Sequence, residues 1–405
     1  MDLSLTDEQE FLREAARGTL SRFKVIEAAH EALDGGLEKL PDLWPAAREA
    51  GWAGLLISEE HGGAGLGVFD AMLVAEETGR VLAPVPFLGL LPATAILDAA
   101  GDARCAAVAA GELRPVWIPT RPPGDLEPNW TVDGPGVARP AAPTIEGDGD
   151  AVRVTGHAAY VPDAPGADLL VVVGVDGTVA AVDAGADGVT IEQVVRYDVT
   201  RAVAHVTLDG AQGVRLAVDD GVVADAATST SGAARSTEAV AADAATSTSG
   251  AARSTEAVAA DAWYVAQALV AAETVGTVQT TLEMSVQYAK ERFTFGRAIG
   301  SYQAIKHELT EVLRRLENSR SLLFYAGWAR DSAPEEFALA ASAARSAAGA
   351  ALDFAARSNI NVHGGIGATW EHDAPLYFRR AQLTRRLIGG HGDATDRVAE
   401  RLLAA

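Results

Sequence analysis

The stretch RFTFGRAIGSYQAIKH, residues 292–307, organises the chain because it joins two long helical patterns. Apolar residues recur at helical spacing on both sides of it, at Leu282, Val286 and Ala289 before it and at Ile305, Leu309 and Val312 after it. The spacing predicts two helices that meet at an Arg-Phe-Gly corner. A guanidinium held there, beside glycines that allow close backbone approach, suits a diphosphate because its donors match paired anionic oxygens. Alone this is a weak signal, since an arginine at a helix corner is more commonly solvated or ion-paired.

A second stretch, NVHGGIGATWEH at residues 361–372, strengthens the interpretation. It contains Gly364, Gly365 and Gly367 within otherwise helical sequence. Glycines inside a helical pattern cost backbone entropy. We therefore expect another group to lie against bare backbone at this point.

The two motifs, in this order and at this distance, resemble those of the acyl-CoA dehydrogenase flavoproteins. The resemblance rests on Arg292-x-x-Phe295-Gly296 with Gln303 and His307, on HGGIG at 363–367, and on the openings LSLTDEQE at 3–10 and EHGGAG at 60–65. It covers nearly the whole chain. It implies a mainly α fold with a central β-domain, that is, an N-terminal helical domain, a β-barrel-like middle domain and a C-terminal four-helix bundle that forms a tetramer core.

Composition along the chain predicts three domains, at residues 1–114, 115–216 and 217–405. Helical patterns fill the first domain and predict, among others, helices over 68–81 and 90–110. The middle domain has short β-type runs at 152–155, 169–173, 189–191 and 203–208 between turn residues, which predict a small and antiparallel β-domain. Helical sequence then returns. An unchanged copy of ADAATSTSGAARSTEAVA occupies residues 224–241 and 242–259, and we interpret this tandem duplication as a tolerated surface extension or linker.

Charge and cysteine content exclude several function classes. The formal net charge of −22 over 405 residues argues against nucleic acid and anionic membranes as partners. No apolar run is long enough to span a bilayer, and the chain opens into an amphipathic helix without a basic and then apolar leader, so we expect a cytoplasmic protein. Cys105 is the only cysteine, which excludes an intrachain disulfide. No metal site is predicted, because His30, His157 and His391 lack metal-ligand spacing.

The resemblance implies α,β-desaturation of an acyl-CoA thioester, in which a carboxylate removes the α-proton while FAD accepts the hydride. Both places where family members put that carboxylate hold apolar residues here, Ile388 and Ala266, so no catalytic residue is assigned. The residue beside the second position, usually arginine in the family, is Gln267. The nearby carboxylates are Glu273, Asp393 and Glu371, but two helical turns separate Glu273 from Ala266 by about 10 Å, beyond proton-transfer reach.

The flavin site is also incomplete by the same resemblance. A Trp-x-Thr or Trp-x-Ser of the family corresponds to Tyr160-Val161-Pro162, where proline supplies neither a hydroxyl nor a backbone donor. The preceding family loop is replaced by IPTRPPGD at 118–125. The half that reaches a neighbouring subunit's flavin in the family is retained, and it comprises the predicted cofactor-binding residues Arg292, Phe295, Gln303, Gly364 and Gly365.

This asymmetry predicts a non-catalytic subunit of a heteromeric acyl-CoA dehydrogenase, resembling the actinobacterial type in which two related chains share one FAD and one active site. The expected partners are an acyl-CoA substrate, such as one with a fatty acyl or sterol side chain, a related catalytic subunit in a heterotetramer, and an electron-transfer flavoprotein. Three alternatives stay open. They are a self-sufficient homotetramer with Asp393 or Glu371 as a displaced base, a flavin enzyme of the same fold with other chemistry, and a structural or acyl-CoA-binding protein without flavin.

Overall fold

The computed structural model describes residues 4–33, 42–118, 142–194, 198–218 and 254–403. Its first helices are α1 (Asp7–Leu20), α2 (Val25–Leu33), α3 (Trp44–Glu49), α4 (Val68–Arg80), α5 (Phe87–Ala99) and α6 (Cys105–Ala109). Helix α1 begins at a capping box, in which the Thr6 hydroxyl accepts from the Gln9 backbone N–H at 3.2 Å and the Gln9 side chain accepts from the Thr6 N–H at 3.2 Å.

Seven strands of the middle region form one curled sheet. They are β1 (Pro115–Ile118), β2 (Thr144–Glu146), β3 (Ala151–Pro162), β4 (Leu169–Val173), β5 (Val179–Asp183), β6 (Val189–Gln193) and β7 (Val203–Leu216). The order is β1-β4-β5-β7-β3-β2, with β6 paired to β7. The prediction of an antiparallel domain is wrong for one pair, because β1 lies parallel to β4 with Pro115 opposite Leu169. The other pairs are antiparallel.

The C-terminal part is a helical bundle. It contains α7 (Thr255–Glu291), a two-stranded hairpin of β8 (Phe293–Thr294) and β9 (Arg297–Ala298), α8 (Gln303–Ser332), α9 (Pro334–His363), α10 (Ala374–Thr384) and α11 (Gly390–Leu403). Helices α7 and α9 run in the same direction with α8 antiparallel to them. At one end Arg330 of α8 pairs with Asp261 of α7 and lies over the Phe337 ring of α9. At the other end the Ser285 hydroxyl donates to the side-chain oxygen Oδ1 of Asn359 at 2.8 Å.

The N-terminal helices and the bundle share one core because α4 and α7 touch backbone to backbone. A Cβ added at Gly79 would lie 1.9 Å from the Glu273 carbonyl oxygen, and one at Gly276 would lie 1.9 Å from the Glu76 carbonyl oxygen. Only glycine permits this approach. The abundant alanines of α7 and α9 extend the close packing along the bundle.

Two buried ion pairs fix the segment between β6 and β7 to the bundle. Arg380 of α10 donates to the Asp198 carboxylate at 2.7 Å, and both side chains are at most 2% exposed. Arg201 pairs with Glu273 of α7 in an equally buried position. Because a buried charge without its partner is strongly destabilising, loss of one partner of either pair should cost several kcal/mol of stability, on the order of 3–5 kcal/mol.

The structure confirms the predicted fold class of a helical protein with a curled sheet in the middle. The predicted helix over residues 90–110 is two helices, α5 and α6, because Gly101 turns the chain with a φ of 59°. The division at 1–114, 115–216 and 217–405 stays a prediction. Most of the duplication at 224–259, and all but the first residue of the loop at 118–125, lie outside the described residues. Among the described helices none is long and apolar enough to cross a membrane.

Candidate functional site

The Arg-Phe-Gly corner is a tight hairpin that projects from the end of α7. Phe295 and Gly296 form its turn with φ of 50° and 79°, the left-handed pair of angles that two-residue hairpin turns require. The Tyr302 hydroxyl donates to the Thr294 carbonyl at 3.1 Å, and the Arg297 guanidinium lies 4.1 Å from the centre of the Tyr302 ring. The corner is therefore a rigid projection.

Predicted site residues on this hairpin point away from the body of the molecule. The Phe295 side chain is 98% exposed and that of Phe293 is 62% exposed. Arg292 and Gln303 are also exposed, and neither side chain has a hydrogen-bond or ion-pair partner within the described ranges. A bulky aromatic residue held in the left-handed region at a cost of about 1–2 kcal/mol, yet packed against nothing in its own chain, indicates an external contact.

The glycine-rich stretch lies beside the hairpin, at the same end of the bundle. His363, the last residue of α9, packs its ring 4.4 Å from that of Tyr288, one turn before Arg292 on α7. His372 completes the stack, 4.3 Å from His363. The His363 Nδ1 lies 2.7 Å from the Asn359 carbonyl oxygen, which fixes the ring on the helix end. The structure thus brings the two predicted motifs together.

The three glycines of this loop differ in why the position needs glycine. Gly364 has a φ of 64° and a ψ of −138°, which requires glycine. A Cβ at Gly367 would lie 2.6 Å from the His363 Cβ, so packing within the chain requires glycine there. Gly365 has an ordinary helical conformation, and an added Cβ would meet nothing within 4 Å. No contact among the described residues explains the glycine at position 365.

The two positions of the family's catalytic carboxylate meet inside the molecule and are apolar. Ile388 is fully buried with a φ of 47°, and its carbonyl oxygen accepts from the Gln267 side-chain amide at 2.7 Å. Ala266, beside Gln267, is also fully buried. From the opposite side the buried Arg345 guanidinium donates to the Leu387 carbonyl at 3.3 Å. The backbone around Ile388 is thus held in place without a carboxylate at either position.

Each neighbouring carboxylate has a different environment. Glu273 is buried in its ion pair with Arg201. Asp393 lies beside the Ile388 loop, because its Oδ2 is 3.0 Å from where a Gly389 Cβ would be, and it faces Arg397 at 3.7 Å. Glu371 is exposed on the turn before α10. Eleven residues of α10 separate that turn from the Ile388 loop, a helix length of about 16 Å.

The middle sheet presents an aromatic cluster in place of the family's flavin-contacting residues. Tyr160, at a bulge of β3 with a φ of 54°, packs edge-on against His205 of β7 with ring centres 4.8 Å apart. Burial raises the pKa of the Tyr160 hydroxyl, which the Arg386 guanidinium opposes. Burial and the neighbouring His157 lower the pKa of His205. Pro162 ends β3 opposite Val203 and offers no backbone donor.

A groove of about 440 Å³ opens next to the glycine-rich loop. Its walls are Arg357, Ile360 and Asn361 of α9, Ala368, and Pro375, Phe378 and Arg379 of α10. The guanidinium groups of Arg357 and Arg379 and the side-chain amide of Asn361 thus line a groove at the end of the bundle that carries the glycine-rich loop.

Sequence reasoning missed Tyr288 and His372, whose rings clamp His363, and the aromatic cluster of Tyr160 with His205. Tyr288 has a weak sequence signal, since it lies four residues before Arg292 on the same helix face. The contact between Tyr160 and His205 depends on the pairing of β3 with β7, which short-range patterns do not specify.

Two family models match this chain, one towards each end. The model of the acyl-CoA dehydrogenase N-terminal domain matches residues 6–104, and that of the C-terminal domain matches residues 256–403, together more than half of the chain. The acyl-CoA dehydrogenase IpdE2 of Mycolicibacterium smegmatis is 28% identical over 95% of this chain and 96% of its own length. The acyl-CoA dehydrogenase FadE34 of Mycobacterium tuberculosis is 29% identical over 98% of this chain, which spans about half of FadE34, 48% of its length.

Solved structures share the fold over the full length. The ChsE4-ChsE5 complex from Mycobacterium tuberculosis contains a chain with a TM-score of 0.76 and 22% identity, covering all of both chains. A variant of the Tcur3481–Tcur3483 steroid ACAD gives a TM-score of 0.76 and 24% identity over 98% of each chain. Sequence models at both ends, full-length relatives and a common fold agree. The chain belongs to the acyl-CoA dehydrogenase family, whose members are oxidoreductases acting on CH–CH bonds.

Proposed function

We propose that this chain is the accessory subunit of a heteromeric FAD-dependent acyl-CoA dehydrogenase, and that it clamps the FAD of a related catalytic subunit. One observation carries the proposal. The hairpin and the glycine-rich loop expose Arg292, Phe295 and Gly365, whereas the position of the catalytic carboxylate is the buried Ile388.

The two positions of the family's catalytic carboxylate do not suit the proton-transfer step in this chain. Ile388 and Ala266 have no group that can accept the α-proton of a thioester, and general-base catalysis requires such a group within hydrogen-bond reach. Pro162 cannot donate a hydrogen bond to a flavin. Both positions are buried among apolar side chains, where an unpaired carboxylate would be unfavourable because it would lose its hydration.

The exposed end of the bundle does suit the ADP half of FAD. Arg292 supplies a guanidinium for the diphosphate, Gln303 supplies an amide, and Phe295 supplies a ring for stacking or burial. The bare backbone at Gly365 admits a close external group, which explains a glycine that no contact within the chain requires. FAD would supply hydride acceptance, and this chain would hold its far end.

The residues of this chain act by binding and orientation. Tyr302 braces the hairpin through Thr294, and the ring contacts of Tyr288, His363 and His372 join the end of α7 to the glycine-rich loop. Preformed contacts cost less ordering entropy on association. The α-proton would be removed by a carboxylate of the catalytic subunit.

Two of the similar structures support a paired assembly. One is a ChsE4-ChsE5 complex and the other is a Tcur3481–Tcur3483 steroid ACAD. By analogy we infer a related partner chain, a heterotetramer and a bulky acyl-CoA substrate with a sterol-type or fatty acyl chain. An electron-transfer flavoprotein would then reoxidise the flavin.

A single methyl group tests the clamp. We expect Gly365→Ala to leave the thermal stability of the isolated chain unchanged, because the Cβ meets nothing in this chain, but to reduce FAD retention by the co-expressed pair. Gly18→Ala on α1 is the matched control, since a Cβ there also meets nothing within 4 Å. Equal FAD content in the two variants and the wild-type pair would show that no cofactor or partner contacts Gly365.

A second candidate is a self-sufficient dehydrogenase in which Asp393 is a displaced base. Its carboxylate lies beside Gly389, next to the family position, and this observation favours it over Glu371. The chain purified alone would then bind FAD, and an acyl-CoA would bleach the flavin absorbance. Asp393→Asn would abolish the bleaching under this candidate and leave the turnover of the heteromeric pair within about twofold under the accessory-subunit proposal.

A further inference from the structure

Three different metal-binding side chains converge in the N-terminal region, away from the hairpin. They are His61 on the turn before α4, Asp98 near the end of α5 and Cys105 at the start of α6, and their donor atoms all lie within 4.8 Å of one another. The His61 Nδ1 is 2.7 Å from the Asp98 Oδ1. His61 and Asp98 are 28% and 23% exposed, so the cluster is accessible to ions, whereas Cys105 is buried.

We propose that His61, Asp98 and Cys105 bind a divalent zinc-class metal ion. A nitrogen, an oxygen and a sulfur donor form a mixed set that suits Zn²⁺ better than Mg²⁺ or Ca²⁺, which prefer oxygen ligands. Zinc bonds of about 2.0–2.3 Å place tetrahedral donors roughly 3.3–3.8 Å apart. The observed spacing therefore needs side-chain adjustments of about an ångström, and a water or the Ser58 hydroxyl would fill the fourth position.

The surrounding contacts orient the ligands. The Ser58 backbone N–H donates to Asp98 Oδ1 at 2.9 Å and the Ser58 hydroxyl donates to the same atom at 2.8 Å. Such bonds to a ligating carboxylate fix its orientation. A Cβ at Gly63 would lie 2.1 Å from the Ile57 carbonyl oxygen, so the turn that carries His61 is tightly packed. The three donors are thus held on three separate segments by a defined backbone.

Metal binding has a fixed proton balance. A zinc-class ion binds a neutral imidazole nitrogen, a carboxylate and a thiolate. If the proton of the His61–Asp98 hydrogen bond is on Nδ1, it moves to Nε2 when Nδ1 binds the metal, and the Cys105 thiol loses its proton to solvent. About one proton is therefore released for each metal ion bound near neutral pH.

Titration of the full-length chain with Co²⁺ and Zn²⁺ tests the site. We expect one Co²⁺ per chain with an absorption band of thiolate-to-cobalt charge transfer, and calorimetry in two buffers should detect the released proton. Cys105→Ala should remove the band and weaken binding at least about tenfold, since the soft donor is lost. His61→Asn, which keeps a side-chain donor to Asp98, should also weaken binding and serves if Cys105→Ala folds poorly.

His157→Asn is the control, because His157 is an exposed histidine outside the cluster, and we expect this variant to bind Co²⁺ like the wild type. The proposal is overturned if the wild type shows no thiolate band at stoichiometric Co²⁺. It is equally overturned if Cys105→Ala and His61→Asn bind as tightly as His157→Asn. Neither result depends on flavin or acyl-CoA, so the proposed function is judged separately.

Discussion

Phe295 offers the sharpest test of whether the hairpin contacts a partner and its FAD. The ring is 98% exposed in the isolated chain and is held in a left-handed turn. Phe295→Asn removes the ring while keeping the turn, because asparagine tolerates positive φ better than other side chains. The substitution therefore separates the loss of an external contact from a change in the hairpin.

The expected magnitude follows from the exposed area. Full burial of a phenylalanine side chain stabilises by about 1.5–3 kcal/mol, and at 1.4 kcal/mol per factor of ten this is roughly a 10- to 100-fold loss of affinity. Because asparagine tolerates the left-handed region better than phenylalanine, the isolated chain should be as stable as the wild type or more stable by up to about 1 kcal/mol.

The assay compares two quantities for the same variant, namely the thermal stability of the isolated chain and the dissociation constants of the co-expressed pair for its subunits and for FAD. Phe11→Ala is the control, since Phe11 is 73% exposed but lies on α1. We expect Phe11→Ala to retain wild-type FAD binding. The reasoning is refuted if Phe295→Asn assembles and retains FAD like the wild type.

Three further changes test the physical account of the fold. Arg380→Met should lower the free energy of unfolding by about 3–5 kcal/mol, because it leaves the Asp198 carboxylate buried without its cation, and adding Asp198→Asn should recover part of that loss in urea titrations. Burial raises the pKa of Asp163 to about 6, against about 3.9 in the unfolded chain. Between these two pH values the folded chain holds a proton on Asp163 that the unfolded chain has lost. The free energy of unfolding of the wild type, relative to that of Asp163→Asn, should therefore fall as pH rises from about 4 to 6. An increase of that difference over the same range would contradict the raised pKa. Gly63→Ala should lower stability by about 1–3 kcal/mol in thermal melts, because its Cβ would overlap the Ile57 carbonyl oxygen, and an unchanged melting temperature would show that the turn adapts.

Local patterns predicted much of the fold because hydrophobic period and turn chemistry act over short distances. The strand predicted at 169–173 is β4 residue for residue, and the helix predicted over 68–81 ends one residue earlier. The parallel pairing of β1 with β4 could not be predicted, since it depends on a contact between residues about fifty positions apart. Strands β1 and β5 were not predicted because they are short and buried on both faces, so they lack the alternation of apolar and polar residues that marks a half-buried strand.

The candidate site was predictable in its parts but not in its arrangement. Arg292, Phe295 and the glycines were found by motif, and the structure adds that Tyr288 and His363 hold them at one end of the bundle. The sequence alone, through the family resemblance, predicted that Ile388 occupies the position of the catalytic carboxylate. That Ile388 meets Gln267 could not be read, because the contact joins α7 to a loop more than a hundred residues later.

The most direct test of the accessory-subunit proposal is the flavin stoichiometry of this chain, purified alone and after co-expression with a related acyl-CoA dehydrogenase chain. We predict a colourless protein alone, and a yellow complex with a single FAD for each pair of chains that an acyl-CoA bleaches. A chain that alone binds one FAD per copy and is bleached by an acyl-CoA would contradict the proposal.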